Sequence, residues 1–252
     1  MIPRARFVLL GASNVTLGFP WVVGWIARAA REAEVLGAFG HGRSYGTTTR
    51  VLGRELPSIA ACGVWRALEQ GAPSPTFALV CDVGNDIMYG ADPATIATWV
   101  DRALSQLDDA GARIALAGLP LASLSELSPA RYERLRRVLF PSRHLAFEDA
   151  LARARDLDAR LAEIARARGA TRLVPEREWY GLDPIHIRRH ARESAWRSWI
   201  GALAPVESPT VRRERRVAAW RLVPERRRLF GRLQERTQPS ICLDGRIQVA
   251  LY

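Results

Sequence analysis

The chain has 252 residues, 48% of them hydrophobic and 25% charged, with a formal net charge of +11. That length suits one α/β domain with a full core and an appendage, and the composition is that of a globular chain rather than a disordered one. No apolar run approaches the roughly 20 residues that span a bilayer, and the run before Gly11 is too short for a signal-peptide core, so a soluble cytoplasmic protein is expected.

The positive charge comes from arginine alone, since the sequence contains no lysine. Charge of this size favours acidic partners or surfaces without naming one. Cys62, Cys81 and Cys242 are an odd number without metal-type spacing. Cys81 sits in an apolar run and reads as a buried thiol. No metal or other cofactor is expected.

In chain order, "RFVLLG" (6–11) reads as a first strand and "TLGFPWVVGWIARAAREA" (16–33) as an amphipathic helix. "EVLGAF" (34–39) is a second strand and "TFALVCDVG" (76–84) a third. A helix over 93–110 follows Asp92-Pro93, and "ARIALAGLP" (112–120) is a fourth strand. Residues 129–168 are helical with a break near Pro141, "TRLVP" (171–175) is a fifth strand, and 187–203 a last helix. This alternation predicts a three-layer α/β/α domain over residues 1–204, with a central parallel five-stranded sheet in a flavodoxin-like arrangement.

Residues 205–252 change character, carrying eleven arginines against five acidic residues. Short β-prone runs separated by turn residues predict a basic, β-rich C-terminal extension packed on the main domain. "ICLDGRIQVAL" is a hairpin signal, because Asp244-Gly245 suits the positive-φ positions of a tight turn.

Ligands of such folds sit at the carboxyl ends of the strands. Four strand-end loops there hold polar clusters. In "GASN", Ser13 opens a helix, where by itself Ser13 or Asn14 reads more readily as a helix cap than as chemistry. "GHGRSYGTTT" (40–49) is a glycine loop whose amides can approach an anion, and His41 within it can line a site. Its position is wrong for a dinucleotide fingerprint. "DVGNDIMYG" (82–90) has turn composition, with Asn85 able to face developing negative charge. In "GLDPIH" (181–186), Asp183 and His186 are spaced so that the carboxylate can fix the imidazole tautomer, leaving the other nitrogen to take a proton.

In their order these blocks resemble the SGNH hydrolases, the GDSL esterase and lipase family, over roughly residues 5–203. The resemblance implies a serine esterase with Ser13 as nucleophile, His186 as general base and Asp183 as orienting carboxylate. It implies an oxyanion hole of the Ser13 amide, the Gly46 amide and the Asn85 side chain. Gly46 is preferred to Gly42 because threonine follows it closely. Asn14, His41 and Asp86 are candidate site-lining residues. The sequence departs from the family at Ala12, where Gly-Asp-Ser has aspartate, and at Asn14, where an aliphatic residue is usual.

The expected substrate is a small-molecule ester: a small acyl ester, a carbohydrate acetate or a thioester. The alternative is a hydrolase-fold protein, non-catalytic or dual-role, that binds nucleic acid or an acidic polymer through arginines interleaved with Trp220 and Phe230. Charge alone favours a plain solvated face over nucleic acid. An acidic membrane surface or a homodimer through residues 205–252 completes the candidate partners. Position makes 121–147 the expected pocket wall.

Overall fold

A computed structural model describes residues 1–140, 144–206, 213–214, 217 and 221–252. Pro141 and Trp220 lie outside the described residues.

The first strand, β1 (Ile2–Leu10), is buried on both faces from Ala5 onward. Such a continuous apolar run is what a central parallel strand requires. It pairs in parallel with β2 (Ala30–Ala38) on one side and β5 (Thr76–Val80) on the other. β6 (Arg113–Ala117) and β7 (Thr171–Leu173) follow beyond β5, also parallel. These are the five strands read from the sequence.

Among the described residues the sheet has two more, giving seven strands in the order β10-β11-β2-β1-β5-β6-β7. β10 (Ile241–Leu243) and β11 (Ile247–Leu251) form the antiparallel hairpin foreseen around Asp244-Gly245, both at positive φ (50° and 69°). β11 then pairs in parallel with β2, Val249 opposite Val35. The end of the basic extension therefore belongs to the central sheet, because alternate residues of β11 fill the apolar edge that β2 leaves open.

Helices cover both faces. Phe7 and Leu9 point to α1 (Ser13–Ala29) and α8 (Arg192–Leu203), and Val8 and Leu10 to α2 (Val64–Gln70), α4 (Pro93–Asp109) and α7 (Phe147–Ala167). α1 is shifted from its expected bounds: residues 30–33 are good helix formers, but pairing with β1 draws them into β2. α4 begins where Asp92 accepts the Thr95 amide at 2.9 Å, with Pro93 in the first turn. The break near Pro141 separates α6 (Pro129–Leu139) from α7.

A second, antiparallel sheet was not foreseen. It joins β3 (Thr49–Val51) and β4 (Arg54–Leu56), after the glycine loop, to β8 (Arg226–Leu229) and β9 (Arg232–Glu235). Leu52 and Phe230 stand exposed at its hairpin tips. Cys62 and Cys81 are buried free thiols and Cys242 is exposed. Among the described residues no helix is long and apolar enough to cross a membrane.

Candidate active site

β1 ends at Leu10 and the chain turns into α1 within two residues. Gly11 permits this, since a Cβ there would meet Val15 Cγ2 at 2.6 Å and Cys81 Sγ at 3.0 Å. Ala12 occupies the N-cap and supplies no side-chain bond, and neither Ser13 nor Asn14 caps the helix. The cap comes from Asp82 at the end of β5, whose carboxylate accepts the amides of Ala12 at 2.8 Å and Asn14 at 2.9 Å. Ser13 is thereby released from capping.

Ser13 Oγ lies 2.8 Å from His186 Nε2, and His186 Nδ1 lies 2.6 Å from Asp183 Oδ2. The other Asp183 oxygen accepts the amides of Ile185 and His186, each at 3.1 Å. Burial raises the Asp183 pKa, but the bond to His186, its charge and these amides outweigh it, and the carboxyl is held below its usual value. An ionised carboxylate only accepts, so Nδ1 carries a proton and Nε2 offers its lone pair to the Ser13 hydroxyl. Burial lowers the His186 pKa, while Asp183 by hydrogen bond and charge, helped by Asp82, raises it further, to a net value above 6.5.

Asn85 opens the short helix α3 (Asn85–Met88) and is half-buried there. Ser13, Asn14 and Asn85 share the wall of one cleft. Beyond them the cleft is walled by Leu124, Leu127, Leu135, Phe140, Phe147 and Leu151, from α5 (Leu121–Ser125), α6, α7 and their junctions. The expected pocket wall over 121–147 is thus where described residues form one.

The glycine loop is arranged differently from expectation. The Gly46 amide donates to Ser44 Oγ at 3.1 Å, and a Cβ at Gly46 would fall 2.2 Å from the Trp99 ring. Gly46 is small because Trp99 packs on it, and its amide is engaged by Ser44. Gly42 has φ +66° and its carbonyl accepts the Tyr89 hydroxyl at 2.7 Å. His41 is held below its usual pKa by burial first, then by the charges of Arg54 and His186.

Asp86 is fully buried and does not line the cleft. It accepts the Ser44 hydroxyl and the Tyr45 amide, the latter at 3.0 Å, and burial raises its pKa to about 6 against these two bonds. It pins the glycine loop, as does the Tyr45 hydroxyl, which donates to the Cys81 carbonyl at 2.8 Å. Sequence reasoning missed Tyr45 and Asp82. The one available signal for Asp82 was an aspartate at a strand end, which reads as an ordinary turn residue.

No protein-family model matches the chain, and no curated protein does. Among solved structures, a carbohydrate acetylesterase family member from Sinorhizobium meliloti aligns with TM-score 0.53 at 11% identity, over 77% of this chain and 94% of that one. Est24, a carbohydrate acetylesterase from Sinorhizobium meliloti, gives 0.52 at 12%, over 77% and 95%. The native M. smegmatis aryl esterase gives 0.50 at 13%, over 77% and 95%. At these identities the likeness is one of fold.

Proposed function

We propose that this chain, which has the SGNH hydrolase fold, is a serine hydrolase of carboxylic esters. The observation that carries the proposal is the hydrogen-bonded series Ser13, His186, Asp183, at 2.8 and 2.6 Å. Ser13 Oγ attacks the ester carbonyl while His186 Nε2 takes its proton, and Asp183 stabilises the imidazolium. The Ser13 amide at the start of α1 and the Asn85 side chain face the tetrahedral oxyanion, each donor contributing about 3 kcal/mol of barrier lowering. Gly46 is not counted, since Ser44 engages its amide. His186 then protonates the leaving alcohol, and water releases the acyl group by the same route.

The acetylesterase names of two structural neighbours suggest a short acyl group. The leucine and phenylalanine walls of this cleft favour an apolar acyl chain over a sugar, which would leave its hydroxyls unpaired there.

The test is a fluorophosphonate probe with a series of p-nitrophenyl esters from acetate to dodecanoate, on wild type and Ser13→Ala. Labelling and hydrolysis in wild type, both lost in Ser13→Ala, with the rate rising beyond acetate, is the expected result. A wild type that neither labels nor hydrolyses any ester overturns the reading.

A further inference from the structure

Asp82 closes β5 in the left-handed region, at φ 59°. Non-glycine residues adopt this sparingly, and aspartate tolerates it better than most. The turn carries its carboxylate back onto the start of α1. One oxygen accepts the amides of Ala12 at 2.8 Å, Asn14 at 2.9 Å and Val15 at 3.4 Å. The other accepts the side-chain amide of Asn14 at 2.8 Å.

The same Asn14 nitrogen donates to the Ile185 carbonyl at 2.8 Å, and the Asn14 oxygen accepts the Ile187 amide at 2.8 Å. A carboxylate and a carbonyl can only accept, so the amide has one workable orientation. Ile185 and Ile187 are the chain neighbours of His186. The residue beside Ser13 therefore grips the histidine loop on both sides, while the carboxylate behind it grips the serine turn. None of these bonds reaches the hydroxyl or the imidazole.

We propose that Asp82 and Asn14 act as one positioning unit that sets the separation of Ser13 and His186. The two letters by which this chain departs from Gly-Asp-Ser-aliphatic meet here: the carboxylate absent at Ala12 arrives from β5, and the unusual Asn14 carries its hold onward to the base. The proposal rests on the hydrolase reading. The charged groups around His186 are Asp183 on its own loop, Asp82 at the end of β5, Arg192 at the start of α8 and His41 on the glycine loop.

The test compares Asn14→Leu, Asp82→Asn and the double variant with wild type in kcat, KM and fluorophosphonate labelling rate, with thermal unfolding alongside. A misplaced base predicts a kcat loss of about 10- to 100-fold in each single variant, with KM within about twofold. The double variant loses no more than the worse single, as expected of residues acting as a unit. In a Ser13→Ala background, which needs no activity, the His186 imidazole titrates at lower pH once Asp82→Asn removes the charge.

An active wild type whose Asn14→Leu variant keeps kcat within about twofold overturns the proposal while leaving the hydrolase reading intact. Additive losses with an unmoved His186 titration overturn it too. A wild type inactive on every ester counts against the hydrolase reading instead. Asn14→Ser deletes the same bonds without added bulk and carries the test if the leucine variant does not fold.

Discussion

Ser13 and His186 stand 173 positions apart in the chain and 2.8 Å apart in space. The contact joins the first residue of α1 to the loop that leads into α8, two helices packed on the same face of the sheet. Chemistry at this point depends on how the surrounding groups set the proton affinity of one imidazole.

That affinity gives a pH dependence. His186 must be neutral to accept the Ser13 proton, and Asp183 raises its pKa above 6.5 against the effect of burial. Hydrolysis should therefore rise with pH through a midpoint above 6.5. Asp183→Asn should lower the midpoint and cut kcat by about 10⁴-fold. Profiles of kcat/KM against pH for both proteins check this, and an unmoved midpoint would remove Asp183 from its role.

Asn85→Ala should depress kcat by about 10²-fold or more with KM little changed, because its amide is used only once charge develops on the oxygen. Asn85 is half-buried on the cleft wall rather than in the core, so the thermal midpoint should stay within a few degrees of wild type. Loss of stability comparable to the loss of rate would mark it as structural.

Asp86 makes a stability prediction with the opposite sign from most carboxylates. Burial raises it to about 6, so its contribution is complete below its unfolded value near 3.8 and is lost as pH rises through about 6. The advantage of wild type over Asp86→Asn should therefore grow on going from pH 7 to pH 4, by roughly 1–3 kcal/mol. Urea unfolding of both proteins at the two pH values measures it, and an advantage that shrinks refutes the assignment.

Gly18 marks where α1 and α8 touch. A Cβ there would lie 1.8 Å from Trp196 Nε1 and 2.3 Å from its Cε2. Trp196 is fully buried and meets Trp199 edge-on at 5.1 Å, so the ring has nowhere to go. Gly18→Ala should destabilise by about 1–3 kcal/mol despite the better helix propensity of alanine, read as a lower urea midpoint.

The sequence announced those features whose causes are local. Continuous apolar runs marked β1, β5 and β6, Asp92-Pro93 marked the start of α4, and Asp244-Gly245 marked the last hairpin. Ser13, Asp183 and His186 were legible together because four polar blocks at strand ends resemble one family's motifs in their order, each block being weak by itself. What escaped was set by distant partners. The cap of α1 comes from Asp82, 70 positions away from Ala12, so local capping rules pointed to Ser13 and Asn14 instead. Gly46 was named by the resemblance, from the threonine that follows it, and that letter pattern carries no sign that Ser44 engages its amide or that Trp99 packs on it. β11 read as part of an appended β layer because an apolar run of that length does not reveal which edge it joins.

That edge has a consequence for how the chain folds. β11 lies against β2, and Tyr252 donates its amide to the Gly37 carbonyl at 2.8 Å. This edge of β2 is thus closed by a strand 214 positions further along, Val249 standing opposite Val35. Until it arrives, one side of β2 presents unpaired backbone groups to any neighbouring strand. Closure across so long an interval is slow, and for that time the open edge can pair with a strand of another copy instead.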